Sequence, residues 1–111
     1  MASLGMQEFE QKVESICSNL SIVKSVTIYA STDSSNLWRV VLSDDSFVDV
    51  YYSASTDKAS FAHIKDKRRV FGADNAGGWH WHPREDPDSH VPVESEITFE
   101  EFMKELESSF K

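Results

Sequence analysis

Apolar residues recur at steps of three and four near the start of the chain, over residues 6–20. Steps of this size place side chains on one stripe of an α-helix. The stripe consists of Met6, Phe9, Val13, Ile16, Cys17 and Leu20. We therefore predict an amphipathic first helix, in which the Cys17 thiol is a small core group rather than a nucleophile.

The pattern then changes to alternating positions rich in β-branched and aromatic residues, which is typical of strands. Strands are predicted over residues 23–30, 37–43, 47–53, 60–66 and 68–74. The links between them are short and polar, and the last is a tight turn around Asp66 and Lys67. Because short links join antiparallel neighbours, we predict a five-stranded antiparallel meander.

A second amphipathic helix is predicted at the end of the chain, where Thr98 is a suitable N-cap and Glu101 completes a capping box. Ile97 and Phe102 are spaced for a hydrophobic staple. The buried stripe consists of Phe99, Phe102, Met103, Leu106 and Phe110. The prediction is a single α+β domain over residues 1–111, with two layers and the order αβββββα.

Net charge, cysteine content and the length of apolar runs limit the kinds of partner and the compartment that we expect for this protein. The net charge of −8 opposes non-specific binding to nucleic acid or anionic lipid, although five of the eleven basic residues fall within residues 58–69. One cysteine cannot form an internal disulfide, and no apolar run approaches the length of a membrane span. We therefore expect a cytoplasmic protein without a membrane segment.

The stretch GGWHWHPREDPDSHV, residues 77–91, contains three of the four histidines and two of the three tryptophans. It lies within residues 76–95, which we expect to be one long irregular loop of the kind that often carries function. In extended backbone, Trp79 and Trp81 point to one side, and His80 and His82 point to the other. The alternation thus predicts an aromatic side and a histidine side.

Two kinds of chemistry fit this histidine spacing. His80 and His82 are suited to hold one metal ion, with a third ligand from His90, Asp74, Glu85 or Asp86, but a short His-x-His motif is a weak signal. The sequence alone therefore favours no cofactor and keeps zinc as an alternative.

The second kind of chemistry is metal-independent acid–base catalysis by His80, His82 and His90 beside Asp74, as in cleavage of RNA through its 2′-hydroxyl. Positive charge for the phosphate is available from Arg84, Arg68 and Arg69. His63, Asn75 and Glu85 are expected to support this site only from its periphery. His63 lies mid-strand, opposite Val70 if the turn has two residues, and is expected to be a core or sheet-surface histidine.

Several of these segments resemble the TumE-type toxins of prokaryotic toxin–antitoxin pairs. The matching phrases are Asp74-Asn75-Ala76, the histidine pair His80 and His82 before Pro83, the PDSHV segment with His90, and the SFAHIKD strand with His63. This chain departs from the family pattern in its spread His-x-His pair, its two tryptophans and its single later histidine. The resemblance implies a toxin acting on RNA or another nucleotide-bearing molecule, neutralised by a DNA-binding antitoxin.

Two other hypotheses for the function of the loop stay open. In one, the protein is a non-enzymatic interaction module whose exposed Trp79 and Trp81 anchor a protein partner or stack on bases. In the other, it is an inactive relative whose tryptophans cover the sheet while its histidines have no specific role. The enzyme hypothesis requires the loop histidines and Asp74 to converge, whereas the interaction module requires exposed indoles.

Overall fold

The computed structural model describes residues 5–110, which form one antiparallel sheet and two helices. The elements are α1 Met6–Ser18, β1 Val23–Ser31, β2 Ser35–Leu42, β3 Phe47–Ser53, β4 Ala59–Lys65, β5 Arg68–Asp74, β6 His80–His82, β7 Val91–Pro92 and α2 Phe99–Ser108. Each strand pairs with the next in the chain, so the α+β class and the antiparallel meander are confirmed. Within the described residues, neither helix is long and apolar enough to cross a membrane.

The predicted number of strands was wrong, because the sheet has seven strands rather than five. The two additional strands, β6 and β7, lie inside residues 76–95, which were expected to be irregular. They contain three and two residues, which is too short for a periodic pattern to stand out from a loop. The Trp-His alternation is therefore the signature of a short strand.

The hydrophobic core lies between one face of the sheet and the two helices. Alternate residues of β2 and β3 supply the sheet side with Trp38, Val40, Leu42, Val48 and Val50. The helices supply Phe9, Val13, Cys17, Phe99, Phe102, Met103 and Leu106. Most of the predicted helical stripes are thus confirmed as core. Burial raises the pKa of the Cys17 thiol to about 12, so this thiol is a packing group rather than a nucleophile.

The structure gives the start of α2 and the end of α1. The hydroxyl of Thr98 accepts a hydrogen bond from the Glu101 N–H at 3.1 Å, which confirms Thr98 as the N-cap of α2. The first helix ends at Ser18, two residues before the predicted limit, and Leu20 is only partly buried.

The β4–β5 hairpin turns at Asp66 and Lys67, both with positive φ, which confirms the tight turn. A bulge follows, so that Ile64 pairs with Arg69 and His63 pairs with Phe71. His63 therefore does not face Val70 as expected, because the bulge removes Val70 from the ladder. This shift keeps the side chains of His63 and Phe71 together on the helix-covered face.

His63 is a buried core histidine with 2% of its surface exposed. Its Nε2 lies 2.9 Å from the hydroxyl of Ser46, which is bonded in turn to the Asp44 carboxylate. Burial, together with the positive charges of Arg84 and Lys65, lowers the pKa of His63 to about 4 despite the opposing charge of Asp44. The native state thus holds this imidazole neutral.

Lowering the pH below about 6.5 is expected to destabilise the protein through His63. The unfolded chain takes up a proton between about pH 6.5 and pH 4, whereas the native His63 does not, so its contribution is complete above this range and is lost on acidification. The full effect is on the order of 3 kcal/mol.

Urea unfolding of the wild type and of His63→Gln at about pH 7 and about pH 4.5 tests this expectation. Glutamine keeps a donor for Ser46 but does not titrate, so the variant should lose less stability on acidification than the wild type does. An equal loss of stability in both proteins would show that His63 does not carry the effect.

Candidate functional site

The turn between β5 and β6 places the histidine strand beside the end of β5. Gly77 and Gly78 have φ values of 72° and 111°, a conformation that residues with a Cβ rarely adopt. The Gly78 N–H donates to the Asn75 carbonyl at 3.1 Å and closes the turn. The chain therefore reverses within four residues, and β6 runs back along β5.

The register of β5 and β6 assigns opposite sides to the tryptophans and the histidines. Asp74 pairs with His80, and Ala73 pairs with Trp81. Trp81 stacks on Phe71 at 5.5 Å and Trp79 stacks on Phe61 at 6.0 Å, so the indoles pack against the core. Because side chains alternate along a strand, the imidazoles lie on the sheet face opposite the helices.

Three imidazoles and one carboxylate meet on this face and form what we call the histidine cluster, residues Asp74, His80, His82 and His90. Asp74 Oδ1 lies 3.2 Å from His80 Nε2, and Asp74 Oδ2 lies 2.9 Å from His82 Nε2. The His90 ring lies 4.7 Å from each of the other two rings and stacks on that of His80. One ring nitrogen of each histidine lies within 4.8 Å of the others.

The members of the cluster differ in their access to solvent. His80 and His82 are 8% and 3% exposed, whereas His90 is exposed on the segment that follows β6. Asp74 is half-buried between them. The cluster is therefore closed at its base and open at His90.

Backbone carbonyls fix the tautomers of the two buried imidazoles. His80 Nδ1 lies 3.0 Å from the Gly78 carbonyl, and His82 Nδ1 lies 3.2 Å from the Pro87 carbonyl. A carbonyl oxygen only accepts, so each Nδ1 carries a hydrogen. Each Nε2 then carries a lone pair that points at the Asp74 carboxylate. Because the nitrogen and the carboxylate oxygen are both acceptors, a proton or a metal ion has to lie between them.

Asp74 is held as an ionised carboxylate. Its partial burial acts to raise its pKa, but a hydrogen bond with His82, one from the Ala76 N–H, and attraction to His80 and His82 in their protonated forms outweigh burial and lower it. The Ala76 N–H lies 3.0 Å from Asp74 Oδ1 and fixes the orientation of the carboxylate. Negative charge at the centre of the cluster is therefore built into the turn.

The side chain of Arg69 reaches the rim of the cluster by passing close to Gly72, where a residue with a Cβ would crowd it. A Cβ at Gly72 would lie 3.0 Å from the Phe61 carbonyl oxygen and 3.1 Å from Arg69 Cδ. The Arg69 guanidinium donates to the Pro87 carbonyl at 3.0 Å, which is the carbonyl that also faces His82. Sequence reasoning did not identify Gly72 or the Pro87 and Gly78 carbonyls, because backbone groups leave no side-chain signal.

Other predicted site residues lie away from the cluster. The Arg84 guanidinium stacks on Phe71 at 4.7 Å, on the helix-covered face, where Glu85 lines the same surface groove. Arg68 is exposed beside the β4–β5 turn. His63 is also on the helix-covered face. Asn75 holds the end of β5, because its side chain bonds Ala59 N–H and the Asp57 carbonyl at 3.0 and 2.7 Å.

Comparison with known proteins gives no further guide to this site. No protein-family model, no curated protein and no solved structure matches the chain. The resemblance to TumE-type toxins therefore stays a prediction from the quoted residues.

Replacing Arg69 with Met should loosen residues 83–90 without unfolding the protein. The variant removes one hydrogen bond to the Pro87 carbonyl, of roughly 1 kcal/mol, so hydrogen exchange of the amides in this segment should become about fivefold faster. Arg68→Met removes the same charge from the preceding residue and is the matched control. Equal exchange rates in the two variants would contradict the role assigned to Arg69.

Proposed function

We propose that this protein is a toxin of a prokaryotic toxin–antitoxin pair and that it cleaves phosphodiester bonds of RNA at the histidine cluster. The observation that carries the proposal is the convergence of His80, His82, His90 and Asp74 around one point on the open sheet face. Groups that hold and release protons are what phosphodiester cleavage requires. The resemblance to TumE-type toxins supports the same class.

In the proposed cleavage of RNA, the exposed and the buried histidines of the cluster have different roles. In RNA cleavage, a base removes the proton of the 2′-hydroxyl, its oxygen attacks phosphorus, and the bond to the 5′-oxygen breaks as that oxygen takes up a proton. His90 is exposed and meets the substrate, whereas Asp74 positions the buried His80 and His82. The Arg69 guanidinium at the rim of the cluster supplies positive charge for the phosphate.

Arg69 is the basic residue that best fits a phosphate contact. It is exposed, and the atom it bonds, the Pro87 carbonyl oxygen, also faces His82. A guanidinium has five N–H donors, so one bond to a carbonyl leaves others for phosphate oxygens. Because the net charge of the chain is −8, we expect a local contact with one phosphate rather than a long nucleic-acid groove.

The packing of the indoles argues against the interaction module. Trp79 and Trp81 are half-buried and stack on Phe61 and Phe71, so each indole uses one face to pack against the core. An anchor for a partner or for a base needs an open indole face. The convergence of the histidines likewise favours an active site over an inactive relative.

Charge favours a basic antitoxin as the partner. An acidic toxin and a basic, DNA-binding partner attract each other and associate faster through complementary potentials. Both would act in the cytoplasm, where RNA is accessible.

Cleavage of a labelled single-stranded RNA of mixed sequence tests the proposal. We expect His90→Ala to lower the rate by about 100-fold or more, because a general acid or base contributes that much. His90 is exposed, so this variant should keep the fold, which circular dichroism and thermal unfolding can verify.

His63→Gln is the matched control, since it changes a histidine on the other face of the sheet and should stay within about twofold of the wild-type rate. The proposal is wrong if the wild type cleaves no RNA. It is equally wrong if His90→Ala cleaves RNA as fast as the wild type does.

A further inference from the structure

We propose that the histidine cluster binds one Zn²⁺ ion through His80 Nε2, His82 Nε2, a ring nitrogen of His90 and a carboxylate oxygen of Asp74. This inference deepens the proposed function, because it names the source of positive charge at the same site. Binding of the ion itself does not depend on RNA cleavage, so each can be tested alone. With the ion bound, His90 would be a ligand rather than a general acid or base, and the charge of the ion would replace the metal-independent chemistry expected from the sequence.

The tautomers of the buried histidines are those of metal ligands. The Nδ1–H groups of His80 and His82 are engaged by the Gly78 and Pro87 carbonyls. Histidines that bind metals donate their other ring N–H to a carbonyl or carboxylate in this way, which directs the free lone pair at the ion. Both free lone pairs here belong to Nε2 and point at the same carboxylate.

The spacing of the rings allows one ion to reach all three histidines. Their ring centroids are 4.7 to 4.8 Å apart, and the Nε2 atoms of His80 and His82 both face the Asp74 carboxylate. A single divalent ion between these acceptors would be bound by neutral imidazoles and by the carboxylate.

The distances are close to those of a tetrahedral zinc site. Ligand atoms at roughly 2.0–2.1 Å from zinc lie about 3.3 Å from one another. His80 Nε2 lies 3.2 Å from Asp74 Oδ1 and His82 Nε2 lies 2.9 Å from Asp74 Oδ2, so each carboxylate oxygen is near this distance from one histidine. The histidine nitrogens lie within 4.8 Å of one another and need to close by about 1.5 Å at most. His90 is exposed and can supply this movement.

The donor set selects the class of ion. Three imidazoles and one carboxylate suit zinc and related transition metals, whereas Mg²⁺ and Ca²⁺ prefer oxygen ligands. With four protein ligands the tetrahedral shell would be complete, so the ion would act on a phosphate through its charge rather than through a bound water. Zinc would further tie the end of residues 83–90 to β6, because His90 is the last residue of that segment and His82 is the last residue of β6.

Zinc binding to the purified full-length chain, freed of metal with a chelator and desalted, tests the inference. Isothermal titration with Zn²⁺ should give one ion per chain with a Kd of about 1 µM or tighter. His90→Ala should weaken binding by at least about 100-fold, since even residues that only support a ligand change affinity by 10- to 100-fold. Zinc should also raise the Tm of the wild type and leave that of His90→Ala unchanged.

Glu85→Gln and His63→Gln are controls that should keep the wild-type affinity, because both residues lie away from the cluster. Tetrahedral Co²⁺ bound in place of zinc should show visible d–d bands in the wild type and lose them in His90→Ala. The inference is overturned if the wild type binds zinc no more tightly than His90→Ala does. It is also overturned if Glu85→Gln weakens binding as much as His90→Ala.

The two proposals fail separately. RNA cleavage that persists in excess chelator, without zinc binding, would remove the ion and leave the ribonuclease. Tight zinc binding without RNA cleavage would keep the ion and remove the ribonuclease.

Discussion

The contact between the Asp74 carboxylate and the Nε2 atoms of His80 and His82 depends on the register of β5 and β6 and organises the features around it. The carboxylate lies at the end of β5, and the two imidazoles return to it after a five-residue connection. Bonds from the imidazoles to backbone carbonyls then fix the path of the chain at Gly78 and Pro87. The proposed acid–base chemistry and the proposed metal binding both depend on this one arrangement of acceptors.

A strand of three residues needs support beyond its own hydrogen bonds. Here the support comes from the helix-covered face, where Trp81 stacks on Phe71 and Phe71 stacks on Phe102 of α2. Aromatic pairs of this kind each contribute about 0.5–1.5 kcal/mol beyond the burial of their area. The tryptophans therefore stabilise the strand that carries the histidines, and the apolar face of the sheet sustains the polar site on the other face.

Sequence periodicity predicted the features that depend on local pattern: both helices, the first five strands, the Thr98 cap and the burial of Cys17. It also separated the indoles from the imidazoles. It did not predict β6 and β7, which are too short to show a period, or the bulge that removes Val70 from the ladder. Arg84 was expected near the histidines, but it packs on Phe71 across the sheet, since side-chain direction after Pro83 depends on tertiary packing.

The turn at Gly77 and Gly78 also constrains how the chain can vary in length. Side chains alternate with a period of two, so one added or deleted residue before β6 would exchange its two faces. The imidazoles would then enter the aromatic core, and the indoles would enter the carboxylate site. Only insertions or deletions of an even number of residues keep the imidazoles beside Asp74 and the indoles in the core. The number of residues in the turn therefore determines which side chains line the site.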